Sequence, residues 1–266
     1  MKHAAGGGWQ SVARDIAVSL VFLTRIPPER LGLDPAVAPD LRSAVRVFPL
    51  AGALIGGTGG IILLLGNSLS LPPLAAALVA IMALTILTGA LHEDGLADTA
   101  DGFGGGRTVE ARLAIMRDSR IGSYGALALI LSVLLKASLL AAFLPSRPLS
   151  AAAALIVAET LGRAAIVHQW AALPPARPDG LAAAIGQPDR ETLAMALVAA
   201  IAVGLIAGTI AGGPIAALVA VAAAALATLG SSRLAGRMIG GHTGDTLGAT
   251  EQCAALAALI ALVAFA

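Results

Sequence analysis

The sequence predicts an all-α, polytopic integral membrane protein: one membrane-embedded domain over residues 1–266, with about seven transmembrane helices behind an N-terminal interfacial amphipathic helix. Three observations carry this. The chain is 58% hydrophobic and only 12% charged, where a soluble domain carries about 25% charged residues. Its mean hydropathy is +0.88, more apolar surface than a soluble globule of this length can hide. Seven apolar runs also approach the ~17–25 residues that a bilayer requires.

Residues 9–26 place Trp9, Val12, Ile16, Leu20 and Leu23 at helical spacing, with Ser11, Arg14, Asp15 and Ser19 largely elsewhere on the wheel. That pattern predicts an amphipathic helix lying in the interface. Ile26-Pro27-Pro28 stops it, because proline lacks the N–H and disfavours helix at the residue before it. No small-residue cleavage site follows the short apolar stretch, so a cleaved leader is not expected. A polar stretch runs to Arg46. The spans are then expected at 47–65, 74–91, 124–144, 149–170, 193–211, 214–230 and 252–266. Abundant Ala and Gly suit closely packed membrane helices. The single cysteine, Cys253, has no neighbours at metal-ligand spacing and reads as a small apolar helix residue.

Basic residues set the orientation. With the N-terminus inside, 14 of the 17 Lys and Arg fall on the inner side, and only Arg147 lies in an outer loop. The loops 92–123, 171–192 and 231–251 are therefore expected in the cytoplasm of a bacterium, as inner-membrane topology requires. A net charge of +1 gives no reason to expect nucleic acid as a partner; membrane lipid is the expected surrounding.

The stretch His92-Glu93-Asp94-Gly95-Leu96-Ala97-Asp98-Thr99-Ala100-Asp101-Gly102 begins where the second span ends. On a helix, Asp94, Asp98 and Asp101 share one face, and three like charges there repel. A divalent cation offsets the repulsion. Oxygen ligands without sulfur favour Mg²⁺, with Mn²⁺ as the alternative, over zinc. Gly104-Gly105-Gly106 offers backbone N–H groups. Arg112, Arg117 and Arg120 follow closely, and guanidinium matches phosphate geometry. Asp118, between two arginines, is a candidate base, metal ligand or ion-pair partner. A second Gly-rich acidic stretch holds Asp245, a candidate for metal or substrate hydroxyls. Glu159 and Arg163, four apart inside a span, are expected to pair. Phe22-Leu23-Thr24-Arg25-Ile26-Pro27 puts the cation of Arg25 near the interface.

These pieces, in this order, resemble the cobalamin synthase family, the adenosylcobinamide-GDP ribazoletransferases: FLTRIP at 22–27, FPLAGALIG at 48–56, GALHEDGLADTADGFGGG at 89–106, MRDSRIGSYG at 116–125 and GDTLGAT at 244–250. The resemblance covers most of the chain. The 92–102 segment with the downstream RDSRIGSYG is very specific; the other pieces alone would be weak. One departure is that Glu251 follows Thr250 directly, where family members often carry a Glu several residues later. The resemblance implies that a hydroxyl of α-ribazole, or of its 5′-phosphate, attacks the corrinoid-linked phosphorus of adenosylcobinamide-GDP and that GMP leaves. It implies Mg²⁺ on Asp94, Asp98 and Asp101, with Asp118 or His92 accepting the hydroxyl proton. Glu93, Arg25, Arg112, Arg117, Arg120 and Asp245 would bind substrate. Further partners would be a second copy or other enzymes of the corrinoid pathway.

Two other classes compete. Asp98-x-x-Asp101-Gly102 echoes the start of the CDP-alcohol phosphotransferase motif, but the Ala-Arg expected shortly after Gly102 and the following Gly-xxx-Asp-xxx-Asp are absent. An ion-coupled transporter would place its acids near the bilayer midplane, whereas here they concentrate at span ends.

Overall fold

The computed structural model describes residues 8–37, 40–180 and 184–266, with Gly8 and Trp9 as backbone only. The sequence-predicted position of Lys2 lies outside the described residues.

The N-terminal helix α1 covers Gly8–Leu23. Its apolar pattern is as expected, but Asp15 and Ser19 are buried in the protein. Asp15 pairs with Arg46 at 2.6 Å, and Ser19 donates to the carbonyls of Asp15 and Ala44 at 2.7 and 3.1 Å. The polar residues of α1 thus dock it on the short helix α2 (Leu41–Ala44) and the 3₁₀ turn Val45–Val47 that follows.

The spans are α3 (Phe48–Ser68), α4 (Pro73–Thr88), α7 (Ser123–Phe143), α8 (Pro148–Ala172), α9 (Arg190–Gly212), α10 (Pro214–Ile239) and α11 (Gly244–Phe265). Six are long and apolar enough to cross a membrane alone; α4 makes the seventh together with the helix that follows it. In α8, 89% of the most apolar stretch is buried, against 28% in α7 and α9. α8 is therefore the hub, and the outer helices turn Leu131, Val198 and Leu226 outward, 63%, 69% and 70% exposed. Such a surface suits lipid, not water. Close packing of α3 on α8 uses Gly52, Gly56 and Gly60: an added Cβ at Gly56 would lie 2.8 Å from the Ile156 Cα.

Two features differ from the sequence reading. The acidic stretch is a helix, not a loop: α5 covers Leu91–Gly105 and leaves α4 at 90°. Gly89 and Ala90 make the turn with φ of +67° and +58°. Glycine adopts this region freely, while for Ala90 it costs about 1 kcal/mol. α5, acidic along its length, turns away from the line of the apolar α4. A short helix α6 (Val109–Ile115) connects to α7. The expected loop 231–251 is also mostly helix, with residues 240–243 alone joining α10 to α11. Its polar residues misled the hydropathy reading: Thr246, Thr250 and Glu251 are buried against neighbouring helices. The connections 24–47, 89–122, 173–189 and 240–243 share one end of the bundle, as alternating spans require.

Candidate active site

α5 sits on the start of α11 through glycine. A Cβ at Gly95 would lie 2.7 Å from the Asp245 carbonyl oxygen, and one at Gly248 would lie 3.2 Å from the His92 Cα. This approach brings Asp94 and Asp98 to Asp245. Burial first, then the charges of Asp94, Asp245 and Asp101, push the Asp98 carboxyl up to about 6. Burial and like charge thus both oppose its ionisation.

One cation answers it from another segment. Arg177 donates to Asp245 Oδ2 at 2.8 Å. Its loop is pinned to the α10–α11 turn by two backbone bonds, Ala176 N–H to the His242 carbonyl at 2.8 Å and His242 N–H to the Pro174 carbonyl at 2.9 Å. Gly241 allows this, because a Cβ there would run into the Pro174 carbonyl. The sequence reading counted Arg177 for topology alone; its place beside Asp245, 68 residues away, is a tertiary fact.

The three predicted metal ligands separate. Asp94 is exposed and Asp98 half-buried, both beside Asp245. Asp101 is buried, and its carboxylate accepts from the N–H groups of Gly122 at 2.7 Å and Gly125 at 2.9 Å. It caps the start of α7, where free N–H groups need an acceptor. Among the described residues no three His, Cys, Asp or Glu side chains converge as a metal cage. Mg²⁺ does not ask for one: it takes one or two carboxylates and completes its shell with water and substrate phosphates. The chemistry of Asp94, Asp98 and Asp245, oxygen donors only, fits that mode.

The predicted arginines stand apart from this cluster. Arg112 donates to the Met238 carbonyl at 2.8 Å and to the Gly106 carbonyl at 3.1 Å, tying α6 to the end of α10. Arg117 and Arg120 lie not on a helix but in the turn before α7, paired with Asp179 and Asp118, each at 2.6 Å. Hydrogen bonds from the Arg120 side chain and backbone hold Asp118 down at about 2, which makes it a weak base. Arg25 lays its guanidinium over Gly89, at the break between α4 and α5, and its backbone N–H donates to the Leu87 carbonyl at 2.7 Å.

His92 and Glu93 turn inward instead. Beneath α5 lies a buried ionic cluster of Glu93, Lys136, Glu159, Arg163 and Glu251. Arg163, 1% exposed, bonds Glu159 as the spacing predicts, and also Glu251 at 2.6 Å. Lys136 reaches Glu159 at 3.8 Å and Gln252 at 3.3 Å, and Gln252 donates to Glu93 at 3.2 Å. The Nδ1 of His92 stands 3.4 Å from an Arg163 nitrogen. The Glu251 Oε2 lies 3.9 Å from the same nitrogen, so the imidazole is engaged by the buried cluster. Sequence reading left Glu251 without a role; the structure makes it the fully buried partner of Arg163.

A family model described as cobalamin-5-phosphate synthase matches residues 15–263. An adenosylcobinamide-GDP ribazoletransferase of Azorhizobium caulinodans is 46% identical over 96% of this chain and 97% of its own length. Proteins of the same name from Sinorhizobium medicae and Rhizobium etli are each 48% identical, over 96% and 94% of this chain and 96% of their own lengths. No solved structure matches. With the match running from α1 to the last turn of α11, across both acidic stretches and the buried cluster between them, the chain belongs to the cobalamin-5-phosphate synthase family.

Proposed function

We propose that the chain joins adenosylcobinamide-GDP to α-ribazole, or to its 5′-phosphate, and releases GMP, completing the lower nucleotide loop of cobalamin. The near full-length identity to ribazoletransferases carries this reading, and it does not favour the CDP-alcohol phosphotransferase or transporter alternatives. The cluster of Asp94, Asp98, Asp245 and Arg177 supplies a place for the chemistry. Mg²⁺ held by Asp94 and Asp98, with Asp245 beside them, would neutralise pyrophosphate charge. Arg177, paired with Asp245, and Arg25, over the Gly89 break, would suit the phosphate oxygens of the donor. The test is GMP release by purified protein in detergent, given both substrates and Mg²⁺ and no ion gradient. Release without ribazole, or none with it, would refute the reaction.

Arg117 and Arg120 join the phosphate-binding groups by exchange of partners. Their side chains are 53% and 87% exposed, and such surface pairs contribute about 1 kcal/mol or less. A pyrophosphate can displace Asp179 or Asp118 at little loss. Arg117→Lys and Arg120→Lys keep the charge but not the planar fork. Each is expected to slow GMP release by about 30-fold or more, the effect of one lost transition-state contact of about 2 kcal/mol, with the melting temperature unchanged. Rates within twofold of the parent in both would leave them only a topological role.

The site faces the cytoplasm of a bacterial inner membrane in this reading, as the basic residues of the loops at that end require. In a Cys253→Ala background, cysteine is best introduced at Glu110, which is exposed; Thr108 nearby caps α6 through its side chain. Glu110→Cys is expected to resist an impermeant thiol reagent on intact cells and to react after lysis. Rapid labelling of intact cells would reverse the orientation.

A further inference from the structure

α9 and α10 form a hairpin over α8 that is closed at one end and open at the other. Glycine closes it near the connecting turn: a Cβ at Gly208 would lie 2.8 Å from the Ala217 Cβ, and one at Gly204 would lie 3.3 Å from the Val221 Cγ2. Toward the end of the bundle that carries the acids the two helices part, and the gap is a slot of about 250 Å³. Its floor is Leu161, Ala164 and Ala165 of α8, all buried, and its rims include Ile201 and Leu229, 44% and 37% exposed. Aliphatic rims at that exposure put the slot on the lipid-facing surface. Thr228, in the wall, donates to the Ala224 carbonyl of its own helix at 2.7 Å, and His168 is the only ionisable residue of the wall.

The position of the slot fits one half of a bilayer. His168 lies four residues and Leu161 eleven residues before Ala172, the last residue of α8, so the slot runs from roughly 6 to 17 Å below the end of that helix. One leaflet's hydrocarbon is about 15 Å deep. Water gains few hydrogen bonds from such walls, whereas an extended apolar chain gains contact along its length.

Charge at the mouth selects the molecule that carries the chain. Arg233 follows Leu229 by four residues on α10, and Arg190 precedes Leu197, another wall residue, by seven on α9. At this spacing both arginines continue the slot-lining faces, one and two turns beyond its mouth. Both are exposed, and neither side chain pairs with a carboxylate among the described residues. Glu191 is set about 100° round α9 from Arg190. Two guanidinium groups above an apolar slot fit a phosphate above an acyl chain.

We propose that the slot between α9 and α10 binds one anionic phospholipid, with an acyl chain on the alanines of α8 and the phosphate at Arg190 and Arg233. The site is separate from the acids and does not depend on the reaction proposed above. A lipid there braces the open end of the hairpin, whose helices lead into the two segments joined by the Pro174–His242 backbone bond.

Thermal unfolding of the purified protein in detergent tests this. Dioleoylphosphatidylglycerol is expected to raise the midpoint saturably by about 5 °C, because a ligand of the folded state stabilises it by mass action. Dioleoylphosphatidylcholine at the same mole fraction, and glycerol 3-phosphate, which has no chain, are expected to give less than half that shift. Ala225→Leu, at the exposed rim, puts a larger side chain in the slot. It is expected to unfold no lower than the parent without lipid and to lose the phosphatidylglycerol shift. Arg190→Gln with Arg233→Gln is expected to keep the fold and to lose the preference for phosphatidylglycerol over phosphatidylcholine. Equal shifts from the two lipids in the parent would overturn the site, as would a glycerol 3-phosphate shift as large as the lipid's. A full phosphatidylglycerol shift in Ala225→Leu would place the lipid elsewhere. A dimer in detergent that Ala225→Leu dissolves would assign the slot to a second copy instead. Should Ala225→Leu unfold below the parent, the double arginine variant decides, and a preference for phosphatidylglycerol that survives in it overturns the proposal.

Discussion

Asp98→Asn is expected to reduce GMP release by about 10³-fold or more at saturating substrates, with the protein folded and at least as stable as the parent. The two halves of this expectation have one cause. Asp98 is half-buried beside Asp94, Asp245 and Asp101, and its carboxyl rises to about 6 because ionising it there is unfavourable. A group whose folded pKa is raised opposes folding once it ionises, so neutral Asn relieves repulsion and does not destabilise. The same negative charge is what the donor's pyrophosphate and its Mg²⁺ would require, and about 4 kcal/mol of lost transition-state stabilisation corresponds to 10³-fold. Asp94→Asn should behave alike. Asp101→Asn should not. Its carboxylate accepts from two N–H groups at the start of α7, and Asn presents only one acceptor oxygen to them. That variant is expected to lose about 1–3 kcal/mol of stability. Turnover by all three, read beside thermal unfolding in detergent, separates the roles. Asp101→Asn as stable as the parent but inactive would return Asp101 to the metal site; active Asp94→Asn and Asp98→Asn enzymes would remove the site altogether.

What the sequence reveals here follows the range of the interaction. The spacing of Asp94, Asp98 and Asp101 is local, and it marked the acidic stretch, though not that Asp101 caps α7 or that Arg117 and Arg120 pair elsewhere. The Glu159–Arg163 pair, one helical turn apart, was equally legible. Hydropathy found every span but misjudged the last two boundaries, because it treats a polar residue as exposed: Thr250 and Glu251 were assigned to a loop and are 1% and 0% exposed. The missed roles are all long-range. Arg177 meets Asp245 across 68 residues, Asp101 meets Gly122 across 21, and Glu251 meets Arg163 across 88. No periodicity marks these pairs, since the packing of α5 and α8 on α11 creates them. The bend at Gly89-Ala90 was hidden for a related reason: alanine carries no turn signal, and its left-handed backbone is imposed by the surrounding fold.

The buried cluster gives the largest expected loss of stability. Arg163 sits at the junction of α8, α11 and α5, bonded to Glu159 and Glu251 and next to His92. With it removed, Lys136 alone faces three buried or half-buried carboxylates, those of Glu93, Glu159 and Glu251. Neither lipid nor the packed helices can solvate them. Arg163→Met, close in volume and unable to pair, is expected to lose about 3–5 kcal/mol, the effect of stranding a buried charge. Thermal unfolding in detergent should show a much lower midpoint or no folded protein at all. The double variant Arg163→Met with Glu251→Met removes one cation and one anion together and is expected to recover part of the loss. This recovery distinguishes an unpaired charge from a mere packing defect, which the second substitution would deepen. The expected recovery stops short of activity. His92 and Glu93, at the head of α5, meet this cluster directly and through Gln252, and Asp94 follows Glu93 directly on that helix. A double variant that regains stability while GMP release stays depressed would show that the ions beneath α5 set the position of the acids on its outer face. Arg163→Met melting with the parent would instead mean that the cluster bears no net charge to be balanced.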